Sequence, residues 1–546
     1  MRSTMMDVPL TVTGILRYGT TVYGGREVVT ATEDGTRRRT YAEVGRRAAQ
    51  LANALRGLGV DGDQRVATFM WNNAEHLEAY LAIPSMGAVL HTLNLRLDPA
   101  QLGYIATHAG DHVIIVDGTL VPLLAKVLPS IEGIRHIVVT SLPGRTVPDY
   151  SSLEGDGHQV HGYEDLLAAQ PETFDWPEID ERSAAAMCYT SGTTGRPKGV
   201  VYSHRSAYLH SMGACMGNAF ALSERDRVLP VVPMFHAMAW GLPYAAFMAG
   251  ADLVMPDRFL QAEPLVRLVG AERPTIAGAV PTIWSDVLRH VRENGGDMSS
   301  LRLVPCGGSA VPHALQEAYE SELGVRILQA WGMTETSPLA SVAHAPAGIT
   351  GEQAWHYRDS QGRVFAQVEA RVVGDGGTIL PMDGQAVGEV QVRGPWITGA
   401  YYKDDDPAKF HDGWLRTGDV GTIDPEGFIR LTDRAKDVIK SGGEWISSME
   451  LENLLMAHPD VAEAAVIGVT DERWGERPLA GIVLRPGGKV TAAELREFLS
   501  GRIPRWQLPE RWAFIDEVPK TSVGKFAKTR MRDAYAKGEY QVEEAR

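Results

Sequence analysis

Short apolar runs alternate with stretches of helical periodicity across residues 40–330. A capping box at Thr40 and Glu43, in which each side chain can bond to the backbone of the other residue, predicts a helix that ends near Leu58. Strands that alternate with helices favour parallel sheets covered by helices on both faces. The same pattern predicts strands at 65–70, 88–93, 112–117, 275–279, 301–306 and 326–330, and helices at 74–83, 204–216 and 260–272.

The pattern changes twice in the second half of the chain. Beyond Gln367, valines alternate with polar residues and glycines are frequent, which predicts a smaller antiparallel β subdomain. Near Asp433 it changes again, to the pattern of a compact α+β unit. We therefore expect an α/β fold with a large N-terminal domain of parallel and mixed sheets, 1–435, and a small mobile C-terminal domain, 436–546. In the second domain, strands are predicted at 461–469, 479–484 and 511–518, and a helix start at Thr491.

Composition narrows the possible partners. The 546 residues carry a net charge of −15, which argues against a nucleic-acid partner and against binding to anionic membranes. A chain of this length exceeds what one hydrophobic core can organise, in agreement with two domains. Cys188, Cys215 and Cys306 lie in apolar surroundings without paired spacing, which indicates buried thiols in a reducing compartment. Since the N-terminus has no apolar signal segment, we expect a cytoplasmic protein.

One apolar stretch, 228–251, is 24 residues long without Asp, Glu, Lys or Arg, enough to span a bilayer. Pro230, Pro233 and Pro243 interrupt it. Each interior proline costs a helix about 3 kcal/mol, because it removes a backbone bond and clashes with the preceding turn. We therefore interpret the stretch as a buried, broken segment that lines a cavity, and expect no integral membrane span.

The stretch 189–199 reads YTSGTTGRPKG and has the composition of a phosphate-binding loop. Glycines let backbone N–H groups approach phosphate oxygens, hydroxyls add donors, and Lys198 adds a mobile positive charge. The alternative is a flexible surface turn, but such a turn has no need of a fixed Pro-Lys-Gly after Thr-Thr-Gly. It is not a Walker loop, because Gly199 rather than serine or threonine follows the lysine.

Later motifs add an aromatic face and carboxylates. In QAWGMTET, 329–336, Trp331 offers a stacking face for a purine. Glu335 is suited to Mg²⁺, which favours one or two carboxylates plus substrate phosphates. Asp419 follows a turn and is placed to accept two ribose hydroxyls, although alone it would be a turn former. The charged run 433–437 is by itself typical of a solvated surface.

Taken in order, these motifs resemble those of the adenylate-forming superfamily, which includes acyl-CoA synthetases, peptide-synthetase adenylation domains and beetle luciferases. The resemblance continues to PKTSVGK at 519–525, and so covers nearly the whole chain. Trp240 and Trp445 match tryptophans in the corresponding motifs of bacterial long-chain fatty acyl-CoA synthetases, which this chain resembles most. Most relatives carry tyrosine at the position of Trp331, which is a departure in the purine site.

The resemblance implies a role for each matching residue. It assigns the adenylation chemistry to Lys525 and Lys198, and places His236 beside the acyl carboxylate, although a lone histidine in an apolar segment is more often a core residue. It assigns Mg²⁺ to Glu335 and Thr190. The residues implied to bind nucleotide or adenylate are Thr190, Ser191, Gly192, Thr193, Thr194, Gly195, Gly308, Ser309, Gln329, Ala330, Trp331, Gly332, Thr334, Asp419, Arg434, Lys436 and Lys440. Those implied to bind the acyl chain or CoA are Trp240, Gly442, Gly443 and Trp445, with a domain hinge at Lys436.

Together these implications predict an ATP-dependent fatty acid–CoA ligase. It would make acyl-AMP and pyrophosphate and then acyl-CoA and AMP, with ATP, Mg²⁺ and CoA as cofactors and co-substrates. A medium- to long-chain acid is favoured because 228–251 is apolar. The alternatives are a short or unusual acid such as a methylthio-alkanoate or an aryl acid, the loading of a carrier protein, and a luciferase-like oxidase. A catalytically dead ATP-binding protein is disfavoured because every charged motif residue is present, and the long-chain relatives suggest a homodimer.

Overall fold

The structure is a computed structural model that describes residues 1, 3–140, 150–155, 157–190, 196–434, 437–441, 444–521 and 526–545, with the backbone alone for Asp375, Arg434, Glu444 and Trp445. The helices of this part of the chain are α1 (Val12–Val22), α2 (Tyr41–Gly57), α3 (Ala74–Ser85), α4 (Pro99–Ala109), α5 (Val121–Val127), α6 (Tyr163–Ala168), α7 (His204–Cys215), α8 (Leu242–Ala249), α9 (Ala262–Glu272), α10 (Pro281–Asn294), α11 (His313–Leu323), α12 (Glu352–Arg358), α13 (Ser448–Met456), α14 (Ala492–Leu499) and α15 (Lys528–Ala536).

The strands follow the same chain order. They are β1 (Glu27–Thr32), β2 (Gly35–Thr40), β3 (Arg65–Phe69), β4 (Val89–Thr92), β5 (Asp111–Asp117), β6 (His136–Thr140), β7 (Gln159–Gly162), β8 (Ala184–Tyr189), β9 (Gly199–Ser203), β10 (Arg227–Pro230), β11 (Asp252–Met255), β12 (Ile276–Gly278), β13 (Val304–Gly307), β14 (Ile327–Gly332), β15 (Leu339–Val342), β16 (Gly362–Val364), β17 (Glu369–Val373), β18 (Ile379–Leu380), β19 (Gly388–Arg393), β20 (Phe410–His411), β21 (Trp414–Ile423), β22 (Phe428–Arg434), β23 (Ile439–Ser441), β24 (Glu444–Ile446), β25 (Val461–Asp471), β26 (Gly475–Leu484), β27 (Arg511–Phe514) and β28 (Val542–Glu544).

Two mainly parallel sheets build the first half of the chain. One has the strand order β7-β6-β5-β3-β4-β8-β9 and, within the described residues, is antiparallel only where β9 pairs with β8. The other has the order β12-β10-β11-β1-β2, and β2 is its antiparallel strand. This arrangement confirms the α/β class that the alternation of strands and helices predicts.

The antiparallel strands predicted beyond Gln367 are present, and they join a larger mixed sheet. Its order is β13-β14-β15-β16-β22-β21-β19-β17-β18, with β20 beside β21. The junction is β16, which pairs with β22 through Gly362 opposite Ile429. As a result, β14, which carries Trp331, and β21, which carries Asp419, belong to one sheet, although 88 residues separate the two side chains.

Residues from Ile439 onward form a sheet and core of their own. The sheet has the order β24-β23-β26-β27-β28, with β25 paired to β26. One face is covered by α13 and α14 around the buried Trp512, and the other by α15 through Met531. This unit has the α+β composition that the sequence predicts.

Several local expectations are also confirmed. Thr40 caps α2 and Thr491 caps α14, each in a complete capping box. Cys188, Cys215 and Cys306 are free thiols. Cys188 and Cys306 are buried as expected, whereas Cys215 is only half-buried because it lies at the end of α7.

The apolar stretch 228–251 is divided between β10, a short left-handed turn, and α8, before β11 begins. In the turn, five consecutive residues have positive φ: Ala237 43°, Met238 53°, Ala239 48°, Trp240 58° and Gly241 71°. A left-handed conformation costs a non-glycine residue roughly 1–2 kcal/mol, so packing must hold this turn in place. Over the described residues, no helix has both the length and the apolar character needed to cross a membrane.

Buried histidines predict acid sensitivity of the fold. Burial lowers the pKa of His76, His204 and His210 to about 4 each. The unfolded chain, whose histidines titrate near 6.5, therefore binds more protons than the folded chain between pH 6.5 and 4. The contribution of the neutral histidines to the free energy of unfolding is fully present above pH 6.5 and is lost as the pH falls toward 4. Each histidine should lower the free energy of unfolding by about 2 kcal/mol between pH 7 and pH 5.

His210→Gln tests this expectation, because glutamine can still accept the hydrogen bond that His210 Nε2 takes from the Leu339 N–H at 3.1 Å. The free energy of unfolding, measured with urea, should differ less between pH 7 and pH 5 in this variant than in the wild type. The reduction should equal the contribution of one histidine, about 2 kcal/mol. His411→Gln is the matched control, since the His411 side chain is 69% exposed. An unchanged pH dependence in His210→Gln would contradict the assignment.

Candidate active site

The 189–199 loop is closed at its base like a hairpin. Tyr189 at the end of β8 pairs with Gly199 at the start of β9. The Thr190 N–H donates to the Lys198 carbonyl (2.9 Å), and the Lys198 N–H donates to the Thr190 hydroxyl oxygen (3.2 Å). Both ends of the loop are thereby fixed. The predicted phosphate contacts of Ser191, Gly192, Thr193, Thr194 and Gly195 lie outside the described residues.

Two aspartates and one tyrosine from the segment before β20 surround the Lys198 side chain. Its Nζ lies 2.7 Å from Asp406 Oδ2 and 3.2 Å from Asp404 Oδ2. It also lies 4.8 Å from the centre of the Tyr401 ring. The hydrogen bond with Asp406 raises the pKa of Lys198, so the amine is charged at neutral pH. Sequence reasoning missed this group, because nothing in the local pattern of 401–406 connects it to the loop.

The strand β14 brings the 329–336 motif into the core. The Gln329 side chain is held between the Val311 N–H, which donates to Oε1 (2.6 Å), and the Ser360 carbonyl, to which Nε2 donates. Ala330 pairs with Gly307 on β13. At Gly332 a Cβ atom would lie 1.8 Å from the Pro338 carbonyl oxygen, so only glycine fits. The strand therefore has little freedom to shift.

Trp331 and Asp419 are joined directly. The indole N–H of Trp331 donates to Asp419 Oδ2 at 2.9 Å, and the two residues are 7% and 5% exposed. The Asp419 N–H donates to the Thr417 hydroxyl oxygen (3.0 Å), which fixes the turn. Asp419 also pairs with the backbone of Arg434 across β21 and β22. The predicted purine face and the predicted ribose carboxylate are thus neighbours.

Glu335 connects this pair to the phosphate loop. Its Oε1 accepts a hydrogen bond from the Tyr401 hydroxyl (2.6 Å), and the face of the same ring lies beside Lys198. The preceding Thr334 is fixed by its carbonyl, which accepts from the Tyr202 hydroxyl on β9 (2.7 Å). A continuous chain of contacts therefore runs from Asp419 through the 329–336 motif to Lys198.

The donors present fit Mg²⁺. Glu335 is 8% exposed and uses one carboxylate oxygen for Tyr401, while Thr190 presents a hydroxyl at the start of the loop. Mg²⁺ typically takes one or two protein carboxylates and completes its octahedron with water and substrate phosphate. In the described part of the chain, no group of three or more His, Cys, Asp or Glu side chains could hold a metal. The single carboxylate of Glu335 fits an ion that takes its other ligands from water and substrate phosphate.

The left-handed turn carries Trp240, which is predicted to contact the acyl chain. His236 begins the turn, half-buried, with its N–H donating to the Pro233 carbonyl (3.0 Å). Trp240 is 8% exposed and packs over Gly278, where an added Cβ would lie 3.7 Å from the indole ring. Gly241 has a φ of 71° and leaves no room for a Cβ beside the His210 ring, 2.6 Å away. The turn therefore holds a large aromatic side chain in a defined position.

Gly308 and Ser309 lie on the wall of a cleft of about 1550 Å³ between the two domains. The opposite wall includes Thr521 and Phe526, the described residues on either side of 522–525. The structure therefore brings two segments to one cleft: Gly308 and Ser309, which are predicted to bind the adenylate and are called the adenylate floor below, and the described residues that flank 522–525.

Among the remaining predicted residues, Arg434 meets this network through its backbone pairing with Asp419. Lys440 lies exposed on β23, pairs with Trp445 on β24, and donates its backbone N–H to Glu476 Oε2 (2.9 Å). Only the backbone is described for Arg434 and Trp445. Lys436, Gly442, Gly443 and Lys525 lie outside the described residues.

The chain is similar along nearly its whole length to known proteins. The AMP-binding enzyme family matches residues 19–402, and the AMP-binding enzyme C-terminal domain matches 450–525. The chain is 41% identical to a 3-methylmercaptopropionyl-CoA ligase of Ruegeria lacuscaerulensis, over 98% of this chain and 99% of the relative. It is 43% identical to a long-chain-fatty-acid–CoA ligase of Thermus thermophilus, over 98% and 97%. The crystal structure of the anthranilate CoA ligase AuaEII in complex with anthranoyl-AMP superposes with a TM-score of 0.86 at 27% identity, over 99% and 100% of the two chains.

Proposed function

The chain belongs to the AMP-binding enzyme family, and from this premise we propose that it is an AMP-forming ligase that joins a fatty acid to CoA. The observation that carries the proposal is the continuous contact chain from Asp419 through Trp331 and Glu335 to Lys198. It supports the assignment of its members as a ribose acceptor, a purine face, a carboxylate suited to Mg²⁺ and a phosphate-binding cation. Together they supply a proposed partner for each part of ATP.

The chemistry follows from the weakness of a carboxylate as an acyl donor, since its leaving group would be oxide. Attack of the acid on the α-phosphate of ATP forms acyl-AMP and releases pyrophosphate, and CoA thiolate then displaces AMP. Positioning and neutralisation of charge lower the barrier of such phosphorus displacements. We propose that Lys525 stabilises the negative charge that develops on the acyl carboxylate and the α-phosphate. Lys198 stabilises the departing pyrophosphate. Mg²⁺, held by Glu335 and Thr190, supplies further charge neutralisation when bound.

One lid domain performs two tasks in this proposal. Residues 436–546 present Lys525 for adenylation and then rotate about Lys436, so that the loop of Gly442, Gly443 and Trp445 faces the site for thioester formation. Such a hinge switch lets one cleft serve two reactions in sequence. The separate core of this domain supports its movement as one body.

The acid we favour is a medium- to long-chain fatty acid. Trp240, held by the left-handed turn, and the buried apolar residues around it favour an apolar chain. The relatives include enzymes named for a long-chain fatty acid and for a short thioether acid, and one structure holds an aryl adenylate. A short methylthio-alkanoate or an aryl acid is therefore the second candidate, because small changes in a pocket shift preference by only about 1–3 kcal/mol.

Pyrophosphate release tests the proposal directly. Straight-chain acids of graded length, 3-methylthiopropionate and benzoate should be compared with ATP and CoA present, and kcat/KM should be highest for an apolar chain of medium or long length. Replacement of CoA by a carrier protein with its pantetheine arm should give little product. Pyrophosphate release that does not depend on any acid would refute the proposal.

Two further proposals concern the state of the enzyme in the cell. We propose a cytoplasmic location, because the cysteines without paired spacing indicate a reducing compartment. We also propose a homodimer formed through the N-terminal domain, on the basis of the resemblance to the long-chain relatives. Light scattering at low micromolar concentration separates a mass near that of one chain, 59.5 kDa, from twice that mass.

Trp331→Phe should weaken ATP binding while it leaves acid binding unchanged. Phenylalanine keeps an aromatic face but removes the N–H that orients Asp419 Oδ2. A hydrogen bond to a charged group contributes enough that KM for ATP should rise about tenfold. Steady-state kinetics with ATP and acid varied separately measure the effect. Trp506→Phe, at a residue 43% exposed, is the control, and equal KM values for ATP in both variants would contradict the role.

A further inference from the structure

A second cluster of buried polar groups lies where the two domains meet, apart from the nucleotide network. Asp433 lies near the end of β22, and its Oδ2 accepts hydrogen bonds from the Ser448 N–H (2.9 Å) and from the Ser448 hydroxyl. The neighbouring Ser447 hydroxyl donates to the Thr432 carbonyl at 2.5 Å. Asp433 is 4% and Ser448 0% exposed. Water therefore does not compete for these bonds, which are stronger for being buried.

Lys528, the first residue of α15, is part of the same cluster. Its Nζ donates to the Ser448 hydroxyl oxygen and lies 2.8 Å from Glu452 Oε1. The side chains of Lys528 and Glu452 are 11% and 8% exposed. Glu452 also accepts from the Val466 N–H (2.7 Å). Because buried charges must stay paired, the start of α15 is tied to the start of α13.

This tie also holds the described chain that follows 522–525. Lys528 is two residues from Phe526, the described residue that follows 522–525. Thr521 and Phe526 line the same cleft as Gly308. In the orientation of the structure, the chain on both sides of 522–525 therefore faces the adenylate floor.

We infer that Asp433 and Ser448 are positioning residues for the adenylation half-reaction, since they hold Lys528 and α15 beside the adenylate floor. The inference rests on the proposed function, including a pivot at Lys436. Asp433 precedes that pivot, whereas Ser448 and Lys528 follow it. Rotation of the lid therefore breaks the bonds between Asp433 and Ser448.

A contact made in only one of two orientations shifts the equilibrium toward that orientation by its differential free energy. The Asp433–Ser448 bonds accordingly favour the adenylation orientation and are released before thioester formation. The chain offers a matched comparison within the same region. Arg532 lies 2.7 Å from Asp437, and both residues follow the pivot, so this ion pair moves with the lid.

Ser448→Ala tests the inference in the full-length enzyme. Alanine removes the hydroxyl link to Asp433 and Lys528 but keeps the backbone N–H bond. Acid-dependent ATP–pyrophosphate exchange should fall about five- to tenfold, the loss of one charge-assisted hydrogen bond. Thioester formation from synthetic acyl-AMP and CoA should stay the same or rise. Asp433→Asn, which keeps the size of the side chain, should change the ratio of the two rates in the same direction, whereas Arg532→Gln should leave it unchanged.

The inference is overturned if both half-reactions are lost to the same degree in Ser448→Ala and in Asp433→Asn. It is likewise overturned if both variants leave the ratio of the two rates unchanged. If Ser448→Ala fails to fold, as judged from its Tm, Asp433→Asn alone decides. The failure of the proposed function has a different result. The wild-type enzyme would then show no acid-dependent ATP–pyrophosphate exchange at all, so the ratio of the two half-reaction rates could not be calculated.

Discussion

Replacement of Lys525 by alanine is expected to abolish acyl-adenylate formation, with a loss of at least about 10²–10³-fold, because a charge aimed at the transition state is removed. Thioester formation from pre-made acyl-AMP should stay largely intact, since we propose that the lid has by then withdrawn Lys525. The described residues on either side of 522–525, Thr521 and Phe526, line the cleft together with Gly308 and Ser309.

The two half-reactions must be measured separately, by acid-dependent pyrophosphate exchange and by CoA consumption with synthetic acyl-AMP. Lys520→Ala is the control, because Lys520 lies on the same cleft, is 39% exposed and pairs with Glu463 at 2.5 Å. Its loss removes a positive charge from the region without removing the proposed catalytic group. Equal losses in both half-reactions of Lys525→Ala would refute the division of labour between the two lid orientations.

Features set by neighbouring residues could be predicted from the sequence. The capping boxes at Thr40 and Thr491 depend on side chains three residues apart, and both helices begin where expected. The prolines in 228–251 correctly exclude one long helix, because each acts on its own turn. The order of the motifs likewise predicts the family, since each motif is a short, contiguous run.

Contacts between distant segments could not be predicted in the same way. Tyr401 reaches Glu335 across 66 residues, and no periodicity in 401–406 indicates that this segment returns to the phosphate loop. The left-handed turn is another example, because Ala, Met and Trp disfavour positive φ and only the surrounding packing imposes it. The antiparallel strands beyond Gln367 were expected, but the register that joins β16 to β22 depends on the completed sheet.

Glu335→Gln should lower acid-dependent pyrophosphate exchange by about 10²–10³-fold, the scale typical for loss of a group that stabilises transition-state charge. Glutamine keeps the size of the side chain and an oxygen that can accept from the Tyr401 hydroxyl, but it loses the negative charge that suits Mg²⁺. Calorimetric titration of Mg²⁺ into the complex with ATP should accordingly show weaker binding, a readout independent of turnover.

Tyr401→Phe separates charge from orientation at the same position. It removes the 2.6 Å hydrogen bond to Glu335 but keeps the ring face beside Lys198, so the carboxylate stays charged and becomes less well oriented. Loss of such a supporting contact typically costs about 10–100-fold, less than loss of the charge itself. Glu369→Gln, at a side chain that is 60% exposed, controls for removal of a carboxylate elsewhere. If Tyr401→Phe impaired exchange as severely as Glu335→Gln, the negative charge could not be the main contribution of Glu335, and the assignment of Mg²⁺ to this residue would fail.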